Sequence, residues 1–305
     1  MSSAALRRPA LDALSPYAAL FGGMVTMAGG ASFAKSLFPE VGALGASAYR
    51  VGFAALLLLL LWRPWRFALT RKDLAGVVAY GAVTGVMNLC FYMSLRTIPL
   101  GVAVAIEFLG PLTLSLLNAR KASHFLCIGL AAFGLLMLLP LDPRAATALD
   151  PVGVGFALAA AVCWALYIVA GKRIGHLHGG RSVAMGMSVA AMIVVPFGVV
   201  SAGATLLDPR LMLLGLVVAI FSSAVPYSLE MIAMKRIPKR TFGVMLSVEP
   251  AIGALAGLAV LGELLSLQQW AAIACIVAAS AGAILTTTPE TAVVQDAEEL
   301  ERPGA

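Results

Sequence analysis

The chain has 305 residues, of which 61% are hydrophobic and 12% charged, with a formal net charge of +6, a pI near 9.4 and a mean hydropathy of +0.95. A soluble domain carries about 25% charged residues to wet its surface, so a water-soluble globule is excluded. The basic excess does not point to a nucleic-acid partner, because Lys and Arg are dispersed at the ends of apolar runs, where membrane topology and anionic lipid require them.

Residues 1–15 contain Arg7 and Arg8 but no apolar stretch and no cleavage site of a secretory signal, and predict a cytoplasmic N-terminal segment. Five apolar runs follow at 16–37, 40–62, 74–95, 99–118 and 122–140, and five more at 151–171, 182–203, 210–233, 238–262 and 267–287. Each has the length of about 20 residues that crosses a ~30 Å hydrocarbon core at ~1.5 Å per residue. Lipid offers no hydrogen-bond partners, so each span must satisfy its own backbone as a helix. No alternating segments of about ten residues suggest a barrel. The expected fold is an all-α polytopic membrane protein with ten transmembrane helices. The tail at 288–305, with Glu290, Asp296, Glu298, Glu299 and Glu301, has few residues able to pack and is expected to be disordered.

Basic residues favour the cytoplasmic side of short loops. With the N-terminus inside, cytoplasmic segments hold sixteen of the 21 Lys and Arg residues, and outer segments hold only Arg96, Arg144 and Arg210. The asymmetry predicts both termini in the cytoplasm. Lys35 and Arg50 remain, both within spans.

The two halves carry a common pattern. Arg96-Thr97-Ile98-Pro99 opens the fourth span and Lys235-Arg236-Ile237-Pro238 precedes the ninth, at an offset of 139 residues. Pro111 and Pro250 stand at the same offset, near Glu107 and Glu249. A unit of five spans crosses an odd number of times, so 16–140 and 151–287 are expected to be repeats of opposite orientation. Inverted repeats suit alternating access around a site near the midplane. Interior prolines at 111, 226 and 250 are expected to free backbone carbonyls at kinks, and Gly81 to Gly85 and Gly253 to Gly257 to allow close helix approach.

Arg50, Glu107 and Glu249 lie near mid-bilayer. At roughly 2.5–3.5 kcal/mol per central charge, three facing lipid would cost on the order of 8–10 kcal/mol. They must face each other, water or a substrate. One reading is a permanent ion pair that staples the bundle. The other is a polar cavity for a zwitterion, with Arg50 holding a carboxylate and a glutamate an ammonium. A carboxyl that passes between dry and wet surroundings also binds and releases protons, which makes Glu107 and Glu249 candidates for proton coupling. Asn88, Tyr92, Trp164, Tyr167 and Tyr227 are candidate cavity residues through hydrogen bonding or cation–π contact. Lys35 near the outer end of the first span is read either as snorkelling or as a gate. Glu230, near Lys235 and Arg236, is read as a cytoplasmic-side gate or ion pair, and Glu263 as a solvated residue at the outer mouth of the ninth span.

Cys90, Cys127, Cys163 and Cys275 fall inside spans without a CxxC pair and are expected to pack. His124, His176 and His178 are too isolated to suggest a metal. An intramembrane enzyme would need paired aspartates, HExxH or GxSxG within the spans. A channel would show rings of like charge or a repeated carbonyl filter, and an ATP-driven pump a P-loop. None is visible, and no cofactor is expected.

GGASFAKSLFP (29–39), Tyr49-Arg50, FYMSLRTIPLGVAVAIEFLGPL (91–112), CWALYIVAGKR (163–173), PYSLEMIAMKRIPKRTFGVMLSVEPA (226–251) and LGE (261–263) together resemble the EamA branch of the drug/metabolite transporter superfamily. Within it the chain is most similar to the bacterial threonine/homoserine exporters, over residues 16–287. The resemblance implies ten helices in two inverted five-helix repeats and a bacterial inner membrane. It also implies efflux of a small amino acid in exchange for protons, with lipid as the surrounding partner. Related branches export aromatic amino acids or other small metabolites, and that alternative stays open.

Overall fold

The computed structural model describes residues 8–66, 70–116, 122–138, 149–174, 177, 179–234 and 245–286. Every regular element among them is helical. The expected tail at 288–305 and the loop residues Lys235, Arg236, Lys239 and Arg240 lie outside the described residues.

α1 (Arg8–Ser36) begins ahead of its expected span and carries Pro16 in its interior. α2 (Phe38–Trp62) bends at Gly42 and ends after the leucine run Leu56–Leu61. Three aspartates that the sequence keeps out of apolar runs cap helices, satisfying amides that a helix start leaves bare. Asp73 and Thr70 form a reciprocal capping box at the start of α3 (Arg71–Ser94). Asp150 accepts hydrogen bonds from the amides of Val152 and Gly153, each at 3.2 Å, at the start of α7 (Pro151–Arg173). The Thr97 hydroxyl and these amides hold the Asp150 carboxyl below the usual carboxylate range. Asp208 does the same work for α9 (Pro209–Ala219), accepting from Arg210 at 2.8 Å and Leu211 at 3.4 Å. Pro151 and Pro209 follow directly, at the first helical position, where a missing N–H removes no bond.

Three of the expected spans are interrupted. Within the expected span 99–118 lie α4 (Leu100–Glu107) and α5 (Leu109–Leu116), which meet at Phe108. α9 runs through a π-helical turn, Ile220–Ala224, into α10 (Val225–Met234). α11 (Glu249–Ala256) follows a turn at Ser247 and Val248 and passes into a second π-helical turn, Gly257–Leu261. Pro111, Pro226 and Pro250 each sit within three residues after such an interruption, where the missing N–H takes one bond out of a regular helix. α6 (Ala122–Leu138), α8 (Gly179–Ala202) and α12 (Leu267–Thr286) complete the set.

By length and composition, five helices can cross a membrane: Pro16–Ser36, Phe38–Arg66, Arg71–Ser94, Pro151–Gly171 and Gly180–Leu207. Shorter apolar helices cover Leu100–Leu114, Phe125–Met137, Pro209–Ala224, Glu249–Leu261 and Leu267–Gly282. Large apolar side chains such as Leu60, Leu61, Phe125, Leu126, Met192 and Val200 are exposed on the bundle surface, as a lipid-facing exterior requires.

α2 lies along α8, α3 along α7 and α8, α1 against α10 and α11, α4 against α11, and α6 against α12. α4 is buried along its whole length. Gly101 on α4 faces the backbone of Ala254 on α11 with no room for a Cβ, Gly81 of α3 meets the Gly186 carbonyl of α8 in the same way, and Gly85 lies close on Ala190. Cys127 packs toward Gly282 and Cys275 toward Gly134, and the four cysteines are free thiols.

Contacts between loops define the two ends of the bundle. At one end Lys35 reaches Ile98 and Glu263, Arg210 pairs with Glu40 at 3.5 Å, and Thr97 overlies the start of α7 at Gly153. At the other, Trp62 lies over Gly180 and Ile174 over Gly76.

Candidate functional site

The site begins with a missing amide hydrogen. In a regular helix the carbonyl of Ser222 would accept from residue 226, but Pro226 has no N–H to give, and the chain widens into the π-helical turn, with Val225 bonded back to Ile220. Arg50, from α2, supplies the donor: its Nη2 reaches the Ser222 carbonyl at 3.2 Å and its Nε reaches Ser223 Oγ at 3.4 Å. The guanidinium is 5.7 Å from the centre of the Tyr92 ring, within cation–π range. Gly30 of α1 lets a neighbouring helix lie on this turn, since a Cβ there would stand 2.7 Å from Ser222 N. An arginine that would be costly in lipid is therefore buried with a carbonyl, a hydroxyl and an aromatic face.

Beside Arg50 lies a cavity of about 130 Å³. By the same measure one water needs only about 10–15 Å³, so there is room for a small solute. Glu107, the last residue of α4 before the break, and Glu249, the first of α11 after its break, both face it, and so does Glu230 of α10. Glu107 is within electrostatic reach of Arg50 and Glu249, and Glu249 within reach of Arg50 and Glu230. Among the described residues no three His, Cys, Asp or Glu side chains converge as metal ligands would.

The remaining wall is mixed. Asn88 spends one amide hydrogen on the Thr84 carbonyl at 2.9 Å, which leaves its oxygen and its second hydrogen for the cavity. Trp164 stands edge-on to Phe108 at 5.4 Å between centroids, which fixes it beside the α4–α5 break. Tyr167 donates to or accepts from Tyr80 at 2.9 Å, with ring centroids 4.8 Å apart. Met24, Met27 and Met87, with Leu20, Phe91 and Leu246, form the apolar flank.

Among the residues singled out from sequence, Arg50, Asn88, Glu107, Trp164, Tyr167, Glu230 and Glu249 line this one cavity. Tyr92 does not; it is fully buried behind Arg50. Tyr227 belongs to α10, but its side chain lies outside the described residues. Lys35 lies elsewhere, at the end of α1, where its Nζ donates to Glu263 Oε1 at 2.6 Å and to the Ile98 carbonyl at 2.9 Å. Glu263 is not the freely solvated residue expected. Its side chain is only 16% exposed, and its second oxygen accepts from the Leu100 amide at 2.9 Å. The LGE sequence explains this: Gly262 takes a left-handed conformation with φ 67°, which ends the helix and turns Glu263 back over Gly257. Ser222, Ser223 and Tyr80 escaped the sequence reading. The one signal for the serines is Pro226, four residues beyond Ser222.

Known proteins agree with this architecture. A model of the EamA-like transporter family matches residues 151–285. The threonine/homoserine exporter RhtA of Escherichia coli (strain K12) is 45% identical over 278 residues, 91% of this chain and 94% of its own. The protein of the same name from Salmonella typhimurium (strain LT2) is 44% identical over 280 residues, 92% of this chain and 95% of its own. A solved crystal structure with 19% sequence identity superposes with a TM-score of 0.53, covering 94% of this chain and 99% of the other, and shares the fold. The protein is a multi-pass membrane transporter rather than an enzyme. With nine-tenths of its length aligned to such relatives, the chain belongs to the EamA-like transporter family.

Proposed function

We propose that this protein is a secondary active exporter of small neutral amino acids, threonine and homoserine first, and that it works by proton antiport with alternating access. One observation carries the reading: a guanidinium and carboxylates from α2, α4 and α11 face one cavity. Arg50 is suited to a substrate carboxylate and Glu107 or Glu249 to its ammonium, because charge-assisted pairs in a dry site are strong and directional. Protonation of the two glutamates couples the substrate to the proton gradient. The names of the relatives at 44–45% identity support the substrate class.

Ten spans result when the five shorter apolar helices are counted with the five long ones. Two inverted five-helix repeats are supported by the packing. Replacing each expected span by the one five places on converts the α1–α10 contact into the α7–α3 contact and returns α2–α8, α4–α11 and α6–α12 to themselves. The breaks at Phe108 and Ser247 are also 139 residues apart, the offset of the two Ile-Pro pairs. Such halves can rock about a shared site. On this reading the end with Lys35 faces outward, both termini are cytoplasmic, and the membrane is the bacterial inner membrane. Lys35 and Glu263 act as an outer gate, closed here, one helical turn beyond Ala31 of the cavity wall.

A second reading, export of aromatic amino acids, draws support from Phe91, Trp164 and Tyr167 in the wall. Efflux of radiolabelled amino acids from proteoliposomes separates the two. An imposed pH gradient is expected to accelerate threonine and homoserine flux at least tenfold over phenylalanine flux. A threonine flux indifferent to the gradient rejects the lead reading.

A further inference from the structure

The cavity holds more negative charge than its substrate needs. Among the described residues, Arg50, Glu107, Glu249 and Glu230 are the charged groups in its wall, three carboxylates to one guanidinium. A zwitterion adds one charge of each sign and leaves that imbalance unchanged. Carboxylates without a counter-charge in a low-dielectric site are costly unless they take up protons.

Position separates the three. The guanidinium is anchored on Ser222 and Ser223, and Glu230 lies eight residues beyond Ser222 on the same helical run. At ~1.5 Å per residue this is about 12 Å along the axis, toward the end marked by Trp62 and Gly180. An α-amino acid carries its ammonium and carboxylate on one carbon, so a substrate held by Arg50 presents its ammonium to Glu107 or Glu249, the two in electrostatic reach of the guanidinium. Glu230 is left outside that seat but next in line, within reach of Glu249. Across from it α1 presents Leu20, Gly23, Met24 and Met27, α7 presents Tyr167, and Cys90 and Cys163 lie near Glu107.

We infer that Glu230 is the proton-release residue of the transport cycle: a proton carried inward on Glu107 or Glu249 passes by way of Glu249 to the Glu230 carboxylate and leaves to water at the Trp62 end of the bundle. In each hand-over one carboxylic O–H bond breaks and one forms on the next carboxylate. At the last step the proton goes to water and Glu230 is left ionised, freeing the seat to hold a substrate ammonium. The inference rests on the antiport reading above and adds to it a residue and a direction of proton travel.

The test uses the full chain in proteoliposomes with radiolabelled threonine and an entrapped pH dye. Wild type should move threonine uphill against an opposing proton flow. Glu230→Gln should lose at least tenfold of this gradient-driven flux and of the coupled proton flux, while threonine counterflow at equal pH persists; Glu230→Asp should restore the uphill flux. Wild-type uphill flux in Glu230→Gln overturns the inference, as does loss of counterflow in the same variant or failure of Glu230→Asp to restore coupling. If the wild type itself shows no gradient-driven threonine flux, the antiport reading fails instead.

Discussion

Between Glu40 and Arg63, Arg50 is the sole charged residue of α2, and this isolation made it conspicuous in the sequence. A charge at mid-membrane costs about 2.5–3.5 kcal/mol wherever it is not accommodated, so its burial followed from composition alone. Its partners did not, because a serine in an apolar helix usually bonds its own backbone, as Ser222 Oγ also does to Val218 O at 2.6 Å. The burial of Glu263 is hidden from sequence for a related reason: only the tertiary fold brings Lys35 and the Leu100 amide to it. Arg50→Ala and Glu107→Gln are each expected to lower threonine efflux at least a hundredfold with insertion and thermal unfolding near wild type. Arg50→Lys should recover no more than a tenth of the activity, since an ammonium cannot serve Ser222, Ser223 and a carboxylate in one plane. Normal efflux by the alanine and glutamine variants would reduce these residues to bundle staples.

Helix existence was readable from runs of about 20 apolar residues, but the breaks at Phe108, at the Ile220–Ala224 turn and at Ser247 were signalled only by nearby prolines. Hydropathy is blind to whether a span is continuous. It is equally blind to which glycine matters. Gly29 and Gly30 are adjacent in one motif, yet a Cβ at 29 meets nothing within 4 Å while one at 30 meets the Ser222 backbone at 2.7 Å. Gly30→Ala is expected to destabilise the protein by about 1–3 kcal/mol through overpacking and to disturb the turn that holds Arg50. Gly29→Ala should be neutral or stabilising by up to ~1 kcal/mol, as for an unobstructed glycine in a helix. Thermal unfolding in detergent with parallel efflux assays checks the pair, and equal behaviour of the two variants would contradict the packing.

For the molecule as a whole, the distribution of Lys and Arg allowed the loops to be sorted into two sets, and the contacts of Lys35, Glu40, Thr97 and Arg210 gather one of those sets at a common end. What charge counting could not supply is the link between α1, α4 and the end of the second π-helical turn, which spans 228 positions in sequence from Lys35 to Glu263. If this link is a gate, holding it shut must stop turnover. With the four native cysteines replaced, Lys35→Cys combined with Glu263→Cys and bridged by a short bifunctional thiol reagent should cut efflux at least tenfold, and a reductant that cleaves the bridge should restore it. Undiminished efflux in the bridged protein would mean that this end does not move.

The methionines along the apolar flank have a further consequence. Met24, Met27 and Met87 are unbranched and rotate about several bonds, so the surface they offer conforms to its guest instead of measuring it. If the proposed exporter seats its substrate here, recognition falls on the shared backbone groups of an amino acid, and side chains of differing outline are admitted so long as they are compact and uncharged. A wall of this kind suits a relief valve for metabolic surplus, where breadth is worth more to the cell than discrimination.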